Sequence, residues 1–223
     1  MSHFITANTQ DDGCRDILIA GLDALNLVLS EAQIEKLLRF VRLIEKWNKA
    51  YNLTAIRNQH DMVRLHLLDS LAMMPFIKGE RVIDVGTGAG LPGIPLAICL
   101  PDVQFTLLDS NAKKTRFVQQ AILELTLKNV VVYHNRVESF QPEPAFNTVI
   151  TRAFASLADI IKLTTHLLVT NGVLLAMKGQ NMDAELAQIA DNRSVKTTVI
   201  AVNVPNIEAT RCLVKIESLT EAG

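Results

Sequence analysis

The sequence predicts an α/β protein in which a seven-stranded sheet follows an N-terminal helical extension. Up to about residue 79, apolar residues recur at helical spacing. From Arg81 onward, strand-like and helix-like segments alternate, which is typical of a parallel sheet covered on both faces. The last two apolar segments, 198–202 and 212–216, have no helical pattern between them and predict an antiparallel pair. We therefore expect a helical region at 1–79 and a sheet domain at 80–223.

The helical extension begins with two amphipathic segments. Apolar residues at three- and four-residue spacing predict a helix over 14–29. Ser30 and Gln33 fit a capping box that begins a second helix, which runs to about Lys49. One face of this second helix is basic: Lys36, Arg39, Arg42, Lys46 and Lys49. Such a stripe is either a solvated surface or a surface that contacts phosphates.

A third helix is predicted over about 63–74. His66 and Asp69 are three residues apart in it, which places them on one face. They could act as an acid–base or ligand pair. Because no third ligand is apparent, we favour a structural hydrogen-bonding role for them.

A glycine-rich segment follows the first predicted strand. Gly86, Gly88, Gly90 and Gly93 stand between that strand and an apolar helical run, and glycine lets a ligand approach the backbone closely. With Asp109 about twenty residues further on, the spacing also suits a nucleotide fingerprint of the NAD type.

The carboxylate inside the first strand favours a different ligand. Asp84 leads into Asp-x-Gly-x-Gly-x-Gly, which resembles the first motif of S-adenosylmethionine-dependent methyltransferases. There the acid can pair with the ammonium group of the methionine moiety, directly or through water. The alternative is a buried carboxylate that the local backbone satisfies.

Polar or charged residues follow most of the remaining predicted strands. Strands at 104–108, 130–133, 148–150 and 173–177 are followed by Asp109, by Glu138, by Arg152 and by Lys178. Ligands of such sheets bind beyond the carboxyl ends of the strands, so we expect these side chains in one crevice. Asp109 could accept both hydroxyl hydrogens of a ribose, or it could help to cap the helix that we expect to begin at Ser110. Helices are predicted over 157–169 and 182–190, and Pro205-Asn206 supplies the final turn.

Composition narrows the class of protein. The 223 residues carry a net charge of −1, which is unlike the general basic excess of many nucleic-acid binders, so only a local basic face could contact RNA. We found no signal-peptide pattern and no apolar run near twenty residues, and therefore expect a cytoplasmic protein without a membrane span. Cys14, Cys99 and Cys212 form no Cys-x-x-Cys pair, so neither a disulfide framework nor a metal site is expected.

Six short motifs in order carry a resemblance to a known family. They are Tyr51-Asn52-Leu53-Thr54 with His66–Leu71, the segment Asp84–Pro95, Leu108-Asp109-Ser110, Arg136-Val137-Glu138, Thr151–Leu157 and Lys178-Gly179. From about residue 30 to residue 216 the chain resembles the ribosomal RNA small subunit methyltransferase G family, also called glucose-inhibited division protein B. The resemblance implies a class I, Rossmann-like methyltransferase fold and S-adenosylmethionine as cofactor. It also implies N7 of a guanine in 16S ribosomal RNA as target. Because the major groove of A-form RNA is deep and narrow, we expect the 30S particle or an assembly intermediate as the substrate.

The resemblance also implies site residues. Cofactor contacts are expected at Gly86, Leu91, Val137, Glu138 and Arg152. We predict in addition that Arg152 is the catalytic residue and acts by positioning, near both the cofactor and the target nucleotide. The residue patterns above add Asp84, Gly88 and Asp109 to the cofactor site. Candidates for RNA contacts are Arg39, Arg42, Lys178 and Arg211.

The residues near the strand exits favour N7 over other methyl acceptors. Methylation of pyrimidine carbon-5 needs a cysteine nucleophile, and no Pro-Cys follows the fourth or fifth predicted strand. Exocyclic amines usually need an Asn/Asp-Pro-Pro-aromatic tetrad, where this chain has Thr151-Arg152-Ala153-Phe154. Guanine N7 has a free lone pair and no proton. Phe154 either stacks on a base or only packs. A small-molecule methyltransferase with the same cofactor remains the main alternative, followed by a cofactor-binding regulatory module and an NAD-dependent oxidoreductase.

Overall fold

The computed structural model describes residues 12–179, 182–192, 194–202 and 211–218. These residues contain a seven-stranded sheet with the order β3-β2-β1-β4-β5-β7-β6. Its strands are β1 (Arg81–Val85), β2 (Gln104–Asp109), β3 (Val130–His134), β4 (Phe146–Arg152), β5 (Leu168–Lys178), β6 (Val195–Val202) and β7 (Arg211–Ser218).

Strand directions agree with the predicted sheet. Strands β1 to β5 pair in parallel, and β7 pairs antiparallel with both β5 and β6. The parallel strands place Val85 beside Leu108 and Thr151 at one edge, where the strands end. The predicted turn at Pro205-Asn206 lies outside the described residues.

Eight α-helices accompany the sheet in the described ranges. They are α1 (Asp12–Ala24), α2 (Glu31–Tyr51), α3 (Gln59–Met62), α4 (Asp69–Leu71), α5 (Gly93–Cys99), α6 (Ala112–Glu124), α7 (Leu157–Thr164) and α8 (Asp183–Ile189). None of the helices described is long and apolar enough to cross a membrane.

Several helix ends differ from the sequence prediction for identifiable reasons. Helix α1 ends at Ala24, not near residue 29, because Asn26 adopts a left-handed conformation and the Leu27 amide donates back to the Leu22 carbonyl. Helix α6 is capped by Asn111 and not by Ser110, since the Asn111 side chain accepts from two amides of the first turn.

Other predicted boundaries were confirmed or shifted at single positions. The capping box at Ser30 and Gln33 is confirmed, with both reciprocal hydrogen bonds present. Helix α7 ends at Thr164, and a 3₁₀ turn over Thr165–Leu167 leads into β5 five residues earlier than predicted.

The helix predicted over 63–74 is interrupted by a π-helical segment, Val63–Leu68, which joins α3 to α4. At its end the Asp69 amide donates to the carbonyls of Arg64 and His66. Single π turns of this kind occur often at functional sites. Apolar periodicity alone does not distinguish 3.6 from about 4.4 residues per turn over so short a stretch, so the sequence did not reveal this segment.

The main hydrophobic core contains residues from both sides of the predicted boundary at 79/80. Phe40 of α2 stacks on Phe117 of α6, with ring centroids 6.3 Å apart. Val63 and Leu67 of the π-helical segment belong to the same buried cluster as Val82 and Leu107 of the sheet. The helical region therefore packs directly on the sheet, and a domain boundary at 79/80 stays a prediction.

Candidate functional site

The glycine-rich loop joins β1 to α5 at the edge where the parallel strands end. The amides of Gly86 and Thr87 both donate to the carbonyl of Leu108, at 2.8 and 3.1 Å, so the loop folds back over the end of β2. Gly86 has φ +73°, and a Cβ there would lie 2.6 Å from a ring carbon of Phe154. Only glycine fits this position without displacing the aromatic ring.

Asp84, in β1, anchors the glycine-rich loop. Its carboxylate is completely buried, and Oδ2 accepts from the Thr87 hydroxyl at 2.7 Å and from the Gly93 amide at 2.9 Å. Burial raises the pKa of Asp84 to about 6, although those two hydrogen bonds oppose the shift. Oδ1 has no partner among the described residues. The loop's own donors thus satisfy Oδ2, while the buried Oδ1 keeps its lone pairs unpaired.

Asp109 ends β2 and ties the loop to the next helix. Its Oδ2 accepts from the Gly88 amide and its Oδ1 from the Asn111 amide, each at 2.8 Å. Both roles considered for this residue are therefore compatible. The carboxylate supports the start of α6, and each oxygen keeps a lone pair for another donor.

Three adjoining cavities lie along this edge of the sheet. Cavity A, of about 330 Å³, is lined by Gly86, Asp109, Lys114, Val137, Glu138 and Phe154 among others. Cavity B, of about 220 Å³, is lined among others by Thr54, His66, Gly86, Gly88, Leu91 and Arg152. Cavity C, of about 420 Å³, is lined among others by His66, Asp69, Arg152, Met177, Lys178 and Arg211.

Shared walls make the cavities one trough. Gly86, Lys114 and Ala153 line both A and B, and His66, Arg152 and Ala153 line both B and C. Every predicted cofactor residue except Asp84 lines A or B. Arg152 stands where B meets C.

Two arginines meet at one buried carboxylate in the wall of cavity C. Asp69 Oδ2 accepts from Arg152 Nη1 at 3.1 Å, and Asp69 Oδ1 accepts from Arg211 Nε at 3.0 Å. The strands bring Arg152 and Arg211 here, and the π-helical segment brings Asp69. Sequence analysis favoured a structural hydrogen-bonding role for Asp69 with His66, and the structure pairs Asp69 with the arginines.

His66 lies between cavities B and C and is 5% exposed. Its Nε2 is 3.0 Å from the Thr54 hydroxyl oxygen, while Nδ1 has no partner among the described residues. Burial, with a smaller contribution from the Arg152 charge, lowers the pKa of His66 to about 4. At neutral pH the imidazole is therefore uncharged.

Lys178 is held by neighbouring groups. Its ammonium donates to the Ala155 carbonyl at 2.5 Å and pairs with Glu185 of α8 at 2.8 Å. Glu185 also accepts from the Leu157 amide at 2.7 Å. Lys178 lines cavity C, but these contacts fix the loop between β4 and α7, so a phosphate would have to compete with Glu185.

The basic stripe on α2 lies away from the trough. Arg39 is 4.0 Å from Glu124 of α6, and Arg42 is 2.8 Å from Glu35 of its own helix. Neither arginine lines cavity A, B or C. Their predicted RNA contact stays a prediction.

Sequence reasoning gave no ligand role to several residues of the trough. Thr54 and Lys114 line cavity B, and Lys114 also lines cavity A. The only signal for Thr54 was its motif, Tyr51–Thr54, which carried no role. Phe154 lines cavity A instead of the larger cavity C, so it lies beside the predicted adenine contacts. Across the described ranges, no group of three or more His, Cys, Asp or Glu side chains could hold a metal ion.

Comparison with known proteins decides the family. The family model described as rRNA small subunit methyltransferase G matches residues 33–214. The chain belongs to this family. A protein named ribosomal RNA small subunit methyltransferase G from Hydrogenovibrio crunogenus is 49% identical over 211 residues, covering 93% of this chain and 97% of its own. The equivalent protein of Laribacter hongkongensis is 48% identical, covering 91% and 97%.

Solved structures agree on the fold. A putative O-methyltransferase from Klebsiella pneumoniae matches with a TM-score of 0.60 at 12% identity, covering 95% of this chain and all of the other. A methyltransferase from Geobacter sulfurreducens gives 0.60 at 14%, covering 92% and 98%. The class I, Rossmann-like fold is confirmed by these likenesses. Family membership confirms an S-adenosylmethionine-dependent rRNA methyltransferase and favours it over the small-molecule alternative.

Proposed function

We propose that the chain methylates N7 of a guanine in 16S ribosomal RNA, with S-adenosylmethionine bound in cavities A and B and the target base in cavity C. One observation carries the choice of N7. The residues that line cavity C include no cysteine, and their one carboxylate, Asp69, already accepts from Arg152 and Arg211 through its two oxygens. A cavity without a cysteine nucleophile or an unpaired carboxylate base suits an acceptor that already has a free lone pair.

Cavity A suits the adenosine half of the cofactor. The Asp109 carboxylate can accept from both ribose hydroxyls, as its two backbone hydrogen bonds leave lone pairs free. Val137 is buried and offers an apolar contact to the adenine, while Glu138 offers an acceptor to its amino group. Because Gly86 has no side chain, the Phe154 ring keeps its position and forms the adjoining wall of the cavity.

Cavity B suits the methionine half. Gly88 and Leu91 of the loop line it, and Lys114 supplies a cation for a carboxylate. The unpartnered Oδ1 of Asp84 lies behind this loop and is the candidate for a water-mediated contact with an ammonium group. When bound, the cofactor supplies a methyl group on a positively charged sulfur.

Arg152 positions the two halves of the reaction. In-line transfer requires the methyl carbon and N7 to lie about 3 to 3.5 Å apart, with the lone pair aligned. Arg152 lines both B and C and is fixed by Asp69 and the Leu65 carbonyl, at 3.1 Å each. The neutral imidazole of His66 adds no positive charge beside the sulfonium.

The target base of the RNA must be accessible to cavity C. The major groove of A-form RNA is deep and narrow, so N7 is reachable only in a loop or an unstacked nucleotide. This supports the 30S particle or an assembly intermediate in the cytoplasm as substrate. Phosphate contacts are proposed at Arg39, Arg42 and Lys178, and a further RNA contact at Arg211.

Two basic residues of α6 and one of the loop after β3 are further candidates for phosphate contacts. No carboxylate of the described residues forms an ion pair with Lys113, Arg116 or Arg136, which are all exposed. Arg136 lines cavity A itself. Because they need not exchange a carboxylate for a phosphate, these three residues are the better placed contacts.

Labelled S-adenosylmethionine tests the proposal. Purified protein is incubated with 30S subunits, bare 16S ribosomal RNA or a metabolite extract, and the labelled product is identified after digestion. We expect label in 7-methylguanosine from the ribosomal samples. Label in another nucleoside would contradict the proposed acceptor, and turnover of metabolites without RNA would support the small-molecule alternative instead.

A further inference from the structure

Asp69 joins three distant parts of the chain beside cavity C. Its carboxylate is 4% exposed and binds one guanidinium group through each oxygen. Arg152 ends β4, Arg211 begins β7, and Asp69 belongs to the helical region. Charge-assisted hydrogen bonds of this kind fix the direction as well as the distance of their donors.

The π-helical segment adds a second tether. In a regular α-helix the Asp69 amide would donate to the Leu65 carbonyl. Here that amide donates to Arg64 and His66, and the Leu65 carbonyl accepts from Arg152 Nη1 at 3.1 Å. Nη1 thus donates one hydrogen to the Leu65 carbonyl and the other to Asp69, so the guanidinium of Arg152 cannot rotate freely.

The remaining donors are available to a ligand in cavity C. Nε and Nη2 of Arg152, and both Nη atoms of Arg211, have no partner among the described residues. Arginine nitrogens only donate hydrogen bonds, so a ligand atom that binds them must be an acceptor. Guanine carries two acceptors, O6 and N7, side by side on one edge, whereas adenine has an amino donor in place of O6. If N7 receives the methyl group, O6 is the acceptor left beside it.

Resting on the proposed function, we propose that Asp69 is a positioning residue that aims Arg152 and Arg211 at O6 of the target base. The site then selects a 6-oxopurine over adenine, although both bases have an N7. Holding O6 also directs the adjacent N7 toward cavity B. The π-helical segment brings Asp69 and the Leu65 carbonyl to the arginines.

Substrate analogues test the base selection. The methylated guanosine is first located with the wild-type enzyme, and small subunits are then reconstituted with guanosine, inosine or adenosine at that position. Inosine keeps O6 and N7, so we expect it to react at a rate close to that of guanosine. Adenosine should react at least about tenfold more slowly. Equal rates for adenosine, or no reaction of inosine, would overturn the proposal.

Variants test the role of Asp69. In Asp69→Asn we expect kcat to fall about 100-fold through misplacement of the arginines, with KM for small subunits unchanged. Affinity for S-adenosylhomocysteine should match the wild type, because the Leu65 carbonyl still holds Arg152 beside cavity B. The preference for guanosine over adenosine should shrink as well. Asp61→Asn is the matched control, since Asp61 also pairs with an arginine, Arg64, but is 54% exposed and lines none of the three cavities.

A second variant keeps the test decisive if Asp69→Asn does not fold. Arg211→Lys retains the charge but lacks the planar fork, so it should lower kcat and weaken base selection in the same way. Unchanged kcat in the variants, or a parallel loss of S-adenosylhomocysteine binding, would overturn the role of Asp69. If the wild-type enzyme forms no 7-methylguanosine at all, the proposed function itself fails.

Discussion

The glycine loop and the π-helical segment line the same cavity B, but the chain builds them in different ways. The contacts of the loop are closer in sequence: those from Asp84 to Thr87 and Gly93 span fewer than ten residues, and that from Gly88 to Asp109 spans 21. The π-helical segment and the adjoining Asp69 depend on partners far along the chain, since Leu65 is 87 residues from Arg152 and Asp69 is 142 from Arg211. The cofactor half of the site is therefore set mainly by a short motif, and the base half by tertiary packing.

The largest effect is expected where the two halves meet. Arg152→Ala removes the group that lines both B and C, and should lower methyl transfer between about 10²- and 10³-fold by loss of positioning and charge. Labelled methyl incorporation into small subunits measures this. Arg64→Ala is the control, because Arg64 is an arginine of the π-helical segment that lines none of the three cavities. Transfer at the wild-type rate in Arg152→Ala would remove Arg152 from the site.

The contribution of His66, in the π-helical segment, to the free energy of unfolding should depend on pH. The pKa of His66 is about 4 in the folded protein, against 6.5 for an unperturbed histidine. Between these values the unfolded chain binds the proton and the folded chain does not, so His66 lowers the free energy of unfolding as the pH falls from 6.5 to 4. The loss from this residue should be about 3 kcal/mol.

His66→Gln isolates that contribution. Asp84, with a pKa raised to about 6, shifts stability in the opposite direction over much of the same range, but it is present in both proteins and cancels in the difference. Denaturant unfolding at several pH values should show the wild type losing about 3 kcal/mol relative to His66→Gln between pH 6.5 and 4. A constant difference would show that His66 titrates normally and is not buried as described.

A single methyl group added to the glycine-rich loop should weaken cofactor binding. Gly86→Ala places a Cβ 2.6 Å from the Phe154 ring at a φ of +73°, and the left-handed backbone alone costs about 1 to 2 kcal/mol. Calorimetry should show S-adenosylhomocysteine binding weakened by about tenfold or more. Gly179→Ala should bind it as the wild type does, because a Cβ at Gly179 meets nothing within 4 Å.

This difference also explains what the sequence could predict. The glycine loop, Asp109 and the parallel strands were predictable because each depends on neighbours in the chain or on the rule that parallel strands end together. The role of His66 and Asp69 was not, since their spacing suggested an ordinary helix face and their partners Thr54, Arg152 and Arg211 are brought to them by the fold. Lys178 is similar: its partner Glu185 is only seven residues away, but the pair forms because α8 packs beside the loop after β4.

The smallest expected effect concerns the surface outside both halves. Replacing Arg116 and Arg136 with alanine should lower the slope of log binding constant against log salt by up to about 2, one phosphate contact each. Replacing Arg39 and Arg42 should lower the slope less, because Glu124 and Glu35 already neutralise them. Binding of small subunits at several salt concentrations measures both slopes. A larger change for the α2 pair would place the RNA along the basic stripe instead.

The most direct test of the comparison is calorimetric titration of S-adenosylhomocysteine into the wild type, Gly86→Ala and Asp69→Asn. The wild type should bind, Gly86→Ala should bind at least about tenfold more weakly, and Asp69→Asn should match the wild type. No binding to the folded wild type, or an equal loss in both variants, would contradict a cofactor site built by the glycine loop and separable from the base site.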